Sequence, residues 1–189
     1  MFAETEDFLA SFFGAGAALI FNSGYTANLG LISALSAKDT LFLYDALSHA
    51  SVRDGLRMGF GQAWHFEHND LDHLESLLQK ARPETYVLTE AVFSMDGDQA
   101  PLKAMAQLCE KYKARLIVDE AHSGGLFGTG GRGSCQEEGI VEHVFARVVT
   151  FGKAYGRHGA VVLGSRELKR FLINFSRPFI YSTAMPPSE

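Results

Sequence analysis

The sequence predicts an α/β fold of three layers, a mostly parallel central sheet covered by helices on both faces. Two observations carry that prediction. Short apolar runs alternate with amphipathic segments along the whole chain. Strands separated by helices return through crossovers, which makes the sheet parallel and buries both of its faces. In addition, Ser23, Glu90, Asp119, His122 and Lys153 all fall at or just past the carboxyl ends of the apolar runs. That rim is where open α/β sheets bind ligands. No internal repeat, low-complexity tract or linker interrupts the pattern, so the 189 residues read as one domain with a sizeable core.

The elements follow in order. Met1 to Glu4 lead straight into an amphipathic helix with Phe8, Leu9, Phe12 and Phe13 on one face. Ala17 to Phe21 is a strand that runs into Asn22-Ser23-Gly24-Tyr25-Thr26-Ala27-Asn28, and a helix continues through Leu29, Ile32 and Leu35. Thr40 to Asp45 is a short strand, and Leu47-Ser48-His49-Ala50-Ser51 opens the next helix. Ala63 to Phe66 and Leu71 to Leu78 form the next strand and helix. Thr85 to Glu90 is a strand entering Ala91-Val92-Phe93-Ser94-Met95-Asp96-Gly97-Asp98, after which Pro101 stands at the start of a helix reaching Tyr112. The apolar strand Leu116-Ile117-Val118 ends in Asp119-Glu120-Ala121-His122. A glycine-rich loop follows, then strands over Val144 to Phe151 and Ala160 to Gly164.

Composition narrows the function classes. The net charge is 17 − 22 = −5, which gives no support to nucleic-acid binding or to a polybasic membrane surface. No apolar run approaches the ~20 residues of a membrane span, and no secretory signal pattern is present. Cys109 and Cys135 lack metal-ligand spacing and do not make a disulfide framework, so a cytosolic, reducing setting is expected. Both ends look cut. In particular, Pro186-Pro187-Ser188-Glu189 reads as the opening of a helix that does not arrive, as in a piece of a longer polypeptide.

The residue with the strongest chemical signature is Lys153, in Val148-Val149-Thr150-Phe151-Gly152-Lys153-Ala154-Tyr155-Gly156. A lysine at the end of a buried strand must be paired or neutralised, and the small residues around it let another molecule approach. That suits an amine that bonds covalently to a carbonyl compound, provided that a dry site and a nearby positive charge lower its pKa. The structural alternative is a snorkelling lysine in a tight turn. Asp119, after three buried aliphatics, needs a partner and otherwise reads as a helix cap; His122 adds a polar group at the same rim. Asn22 to Thr26 sits where free N–H groups and the helix dipole favour a phosphate, as do many turns that bind no anion. His49 is either a surface cap or a flat ring packed on a planar ligand.

Other patterns are weaker. Gly128-Thr129-Gly130-Gly131-Arg132-Gly133 fits G-x-G-x-x-G, but it follows no strand directly and Lys153 stands where an acidic residue is expected. It reads as a flexible loop. His65, His68 and His73, interleaved with Glu67, Asp70 and Asp72, match no zinc template. Asp96-Gly97-Asp98 reads as a turn, since the other EF-hand ligands are missing. No metal site is expected.

Taken in order, N-S-G-Y-x-A-N, L-S-H-A-S, E-A-V-F-S-M-D-G-D, V-D-E-A-H and T-F-G-K-A-Y-G resemble the α-oxoamine synthases, which are fold-type I pyridoxal-phosphate (PLP) enzymes. The resemblance covers essentially the whole chain and closes with Phe179 to Pro187. It implies the three-layer large domain of the fold-type I transferases, with residues 1–189 as a PLP-binding large domain that lacks its N-terminal segment and C-terminal small domain. It also implies roles. Lys153 would bond the cofactor and later move the substrate's Cα proton. Asp119 would pair with the pyridine nitrogen, His122 and Ser94 would bond the phenolic oxygen region, and His49 would stack on the ring. Gly24 and Tyr25 would offer backbone N–H groups to the phosphate, and Thr150 its hydroxyl. Ser182 and Thr183 would reach the phosphate of a neighbouring subunit in a homodimer. His49, Asp119 and Lys153 form the catalytic set.

The implied reaction is decarboxylative condensation of an amino acid with an acyl thioester, giving an α-amino ketone, carbon dioxide and a free thiol. The likeness is greatest to the biotin-pathway member, which would use L-alanine and pimeloyl-CoA or a pimeloyl-carrier protein. Glycine- or serine-using synthases, of the 2-amino-3-ketobutyrate ligase or serine palmitoyltransferase type, are the alternatives inside the family. Outside it stand a nucleotide-binding module using Gly128 to Gly133 and a catalytically dead interaction subunit. Family chains are about twice as long, and the arginines expected to bind the substrate carboxylate are absent. The piece alone is therefore expected to bind cofactor poorly and turn over little. Arg157-His158 also departs from many members.

Overall fold

The computed structural model describes residues 2–186, so Pro187 to Glu189 of the expected C-terminal helix opening lie outside the described residues. The strands are β1 (Ala17–Phe21), β2 (Leu41–Asp45), β3 (Gln62–Phe66), β4 (Thr85–Glu90), β5 (Arg115–Asp119), β6 (Val144–Thr150) and β7 (Ala160–Gly164). The helices are α1 (Phe2–Phe13), α2 (Gly24–Leu35), α3 (Ala50–Arg57), α4 (Leu71–Leu78), α5 (Leu102–Tyr112), α6 (Ser134–Glu137), α7 (Arg166–Phe175) and α8 (Arg177–Ile180). No helix among the described residues is long and apolar enough to cross a membrane.

One seven-stranded sheet runs β1-β7-β6-β5-β4-β2-β3. Pairings from β3 through β6 are parallel, whereas β7 is antiparallel to both β6 and β1. The exception is local in origin. Only a short loop joins β6 to β7, and a parallel return needs a crossover of a dozen or more residues. Successive side chains of one strand face opposite layers. On β5, Ile117 enters the core beneath α2, α3 and α7, while Leu116 and Val118 enter the core beneath α4 and α5. These are the three expected layers.

Helix α1 corrects the sequence reading. Its buried line is Glu6, Ala10 and Phe13, and Phe8 is 65% exposed. The deciding contact is polar. Glu6 accepts the Ile20 N–H through Oε1 (2.9 Å) and pairs with Lys169 through Oε2 (2.7 Å), which turns the helix so that Phe8 faces outward. Pro101 is the N-cap of α5 and stands one residue outside it.

The glycine-rich loop is also not the flexible segment expected. It is closed by its own backbone bonds, Gly125 N–H to Gly131 O, Gly131 N–H to Gly128 O and Gly133 N–H to Phe127 O. It wraps the fully buried Glu120, whose Oε1 accepts from Cys135 N–H (2.9 Å) and Ser123 Oγ (3.3 Å). Gly133 has φ +96°, and a Cβ there would stand 2.4 Å from Glu120 Oε1, so only glycine closes the loop. Arg147 completes the arrangement, with Nη1 3.5 Å from Glu120 Oε2 and Nη2 donating to Phe13 O at 2.6 Å.

Candidate active site

Residues at the ends of β4, β5 and β6, namely Glu90, Asp119 and Thr150, meet the N-terminal residues of α2 and α3 around a cavity of about 190 Å³. Gly24, Tyr25, Asn28, His49, Ser51, Ala121, His122 and Lys153 complete its lining. Of the residues singled out from the sequence, Gly24, Tyr25, His49, Asp119, His122, Thr150 and Lys153 are brought together here. Ser94 is not among the lining; it is exposed on the turn after β4. Ser182 and Thr183 line a separate cavity of about 290 Å³ beside Phe21, Asn22 and Phe179, where Asn22 Nδ2 donates to Thr183 O at 2.7 Å.

Local sequence explains the placements. Ser23 caps α2 through a capping box, its hydroxyl accepting from Thr26 N–H while Thr26 Oγ1 accepts from Ser23 N–H. The free N–H groups at the start of α2 therefore lie at the cavity wall beside Gly24. A Cβ on Gly24 would sit 3.4 Å from Thr150 Cβ, so glycine leaves the backbone open between them. Tyr25 turns its hydroxyl to Asp54 Oδ2; that bond, with some burial, holds its pKa above the ordinary value.

Asp119 is 7% exposed and accepts two N–H donors, Asn28 Nδ2 at 2.6 Å and Ala121 N–H at 2.9 Å. Asn28 also donates to Ser51 Oγ (3.0 Å), and Ser51 Oγ lies 2.8 Å from His49 Nδ1. Since Ser51 N–H also donates to His49 Nδ1, that nitrogen is the acceptor and the ring carries its proton on Nε2. A relay thus runs from Asp119 to His49. Sequence reasoning missed Asn28 and Ser51 as members of it. The available signal was Asn28 itself, an amide on the buried face of α2 beside Ala27, Leu31 and Ile32.

Lys153 lies three residues beyond β6 in an exposed loop, with Nζ 2.6 Å from His122 Nε2. Desolvation lowers its pKa, against the opposing pull of Asp119 and Glu90. The expected positive neighbour is replaced by carboxylates, and the expected dry strand end by a half-covered loop. Burial and the Lys153 charge push His122 below the usual histidine value. The ring is therefore a neutral acceptor facing an amine.

Beside this cavity, His68 bridges two carboxylates, Nδ1 to Asp45 (2.9 Å) and Nε2 to Asp98 (2.7 Å), while Asn69 N–H donates to Asp45 Oδ2 (2.9 Å). The bridge ties the ends of β2 and β3 to the Val92–Gln99 turn that carries Ser94. Burial pulls the His68 pKa down, but the two carboxylates outweigh it and hold the value above 6.5. The resulting stability is fully present below the unfolded pKa and is lost as pH rises through the folded one. Urea unfolding of His68→Gln is expected to show a deficit of about 1.5–3 kcal/mol near pH 6, shrinking at pH 9. Among the described residues no cluster of histidine, cysteine and acidic residues forms a metal site; His73 instead accepts Glu67 N–H, and His65 packs against Tyr44.

The family pattern described as aminotransferase class I and II matches residues 1–188. The chain belongs to the aminotransferase class I and II family. Within it, the 8-amino-7-oxononanoate synthase of Chlorobaculum parvum is 43% identical over 97% of this chain and 48% of its own. A solved serine palmitoyltransferase from S. paucimobilis, bound to a PLP–myriocin aldimine, has 38% identity and a TM-score of 0.93, covering 98% of this chain and 47% of its own. The 8-amino-7-oxononanoate synthase of Francisella tularensis has 33% identity and a TM-score of 0.88, covering 98% of this chain and 54% of its own. These relatives are α-oxoamine synthases, the group that the motifs resemble. The chain spans about half the length of the curated relatives it matches.

Proposed function

We propose that this chain is the cofactor-binding large domain of a PLP-dependent α-oxoamine synthase of the 8-amino-7-oxononanoate type. It would condense L-alanine with a pimeloyl thioester, of coenzyme A or a carrier protein, in biotin biosynthesis. The observation that carries the reading is a lysine with lowered pKa sharing one cavity, at the carboxyl edge of the sheet, with a buried aspartate held by two N–H donors.

The residues suit the cofactor. Lys153 offers an amine whose proton is loosened by burial, as bonding to an aldehyde requires. Asp119 offers a fixed carboxylate for a pyridinium, Gly24 and Tyr25 offer N–H groups at a helix start for a phosphate, Thr150 a hydroxyl, and His49 a flat ring. When bound, PLP supplies an electron sink that stabilises negative charge at the amino acid's Cα. The chain's own residues do the rest. Lys153 Nζ would take the proton from the amino acid's Cα and return one at the end. His122 Nε2 accepts a proton from Lys153 Nζ in a hydrogen bond and keeps the amine aimed inward. Asn28 prevents Asp119 from rotating, and Ser51 orients the His49 ring.

The proposal extends to a homodimer in which Ser182 and Thr183, both exposed and away from the Lys153 cavity, reach the neighbouring subunit's phosphate. It also includes a cytosolic setting, in keeping with two free, buried cysteines. A nucleotide on Gly128 to Gly133 finds no support, because the N–H groups of Thr129, Gly131 and Gly133 are spent within the loop or on Gln136.

The test is borohydride reduction after adding PLP, followed by peptide mass spectrometry. A single phosphopyridoxyl group on Lys153 is expected; label scattered over surface lysines overturns the catalytic reading. Thiol release from pimeloyl-CoA is then expected with L-alanine in preference to glycine or L-serine. A preference for L-serine would move the substrate assignment to the serine palmitoyltransferase type.

A further inference from the structure

Glu90 is a buried acid for which neither the motifs nor the proposed chemistry supplies a task. It is 4% exposed and lines the same cavity as Lys153. On the adjacent parallel strand its register partner is Asp119. Paired residues in a parallel ladder point to the same face, so two carboxyl groups stand side by side beneath one lysine. Two carboxylates sharing a buried site do not both ionise readily. Their donors decide which one keeps the charge. Asp119 accepts from Asn28 and Ala121, whereas among the described residues the Glu90 carboxyl accepts only from His49 N–H, at 2.6 Å to Oε1.

We propose that Glu90 is a positioning residue that sets the charge of this cavity: as a neutral carboxyl it leaves Asp119 the sole anion beneath Lys153, and its Oε1 anchors the His49 backbone. The proposal rests on the lysine chemistry given above and adds a pH control to it. The groups facing Glu90 are Asp119 from β5, Asp45 from β2, His49 from the start of α3 and Lys153 from the loop after β6. His122 faces Lys153 and also feels the Asp119 charge. Burial, then the Asp119 charge, raise the Glu90 pKa to about 7. Above that pH a second anion forms below Lys153 and holds the ammonium proton more tightly, since Glu90 raises the lysine's pKa. Lys153 is thus most easily deprotonated, relative to its surroundings, while Glu90 is neutral.

The experiment uses the chain without PLP and a generic amine reagent, acetic anhydride, with Lys153 acylation followed by peptide mass spectrometry from pH 6 to 9. The wild-type rate is expected to climb with pH, bend near 7 as Glu90 ionises, and lag thereafter. Glu90→Gln keeps the acceptor for His49 N–H and removes the charge. It is expected to climb without the bend and to react several-fold to about tenfold faster than wild type at pH 8.5, the equivalent of up to one unit of lysine pKa. Superimposable profiles would overturn the proposal, because a merely structural Glu90 leaves no charge to remove. Carbon-13 NMR of the Glu90 carboxyl needs no variant. A midpoint near 7 supports the proposal, and one in the ordinary carboxylate range sinks it. Failure of PLP to label Lys153 while the bend persists would instead count against the cofactor reading alone.

Discussion

Replacing Lys153 with alanine is expected to abolish the borohydride-stable PLP adduct and, on the proposed function, to lower the condensation activity at least about a thousandfold, within the range seen when a positioned acid–base group is removed. Lys153→Arg should not rescue it, because a guanidinium keeps its charge and cannot bond an aldehyde. The substitution also has a consequence independent of turnover. The Lys153 charge is one of the influences holding the His122 pKa down, and Nζ sits 2.6 Å from Nε2. In Lys153→Ala the His122 imidazole should therefore titrate at higher pH, which proton NMR reads directly. An unchanged His122 titration would mean that the two groups do not meet in solution, and the amine would lose its orienting partner.

Arg147→Met is expected to be the most destabilising single change outside the cavity, by about 3–5 kcal/mol. The guanidinium is 3% exposed and serves two groups, the Glu120 carboxylate and the Phe13 carbonyl. Its removal strands a buried carboxylate and frees the end of α1. Burial already pushes the Glu120 pKa up, opposed by Cys135 N–H and Arg147. Without Arg147 the value rises further. A carboxyl with raised pKa loses its contribution to stability as pH rises through the folded value, so the deficit should grow from acid toward neutral pH. Urea midpoints across that range check it; a loss under ~1 kcal/mol, typical of an exposed pair, would show that Arg147 reaches water. Glu120→Gln combined with Arg147→Met should recover part of the loss, since no charge is then left alone.

Much of this protein could be read from the chain itself. Hydrophobic period and length located most of the elements, because a buried parallel strand reads as an unbroken aliphatic run, as in Leu116-Ile117-Val118, and each run ends where polar chemistry begins. Four of the five short motifs placed seven of the expected site residues around one cavity, since each of these motifs sits on a strand end or helix start whose position the crossover topology dictates. Three features were decided only by tertiary structure. The outward turn of Phe8 follows from a Glu6–Lys169 contact between residues 163 apart in sequence, beyond the reach of any local pattern. The pairing of β7 with β1 joins Ala17 to Gly164 across most of the chain, which no loop rule foretells. The charge balance beneath Lys153 depends on Glu90 and Asp119 standing in register on neighbouring strands, with Asn28 brought from α2 to hold one of them. Sequence periodicity reports which face a residue takes; it carries no information on which distant donor arrives at a buried acceptor, and here that arrival decides which carboxyl keeps its charge.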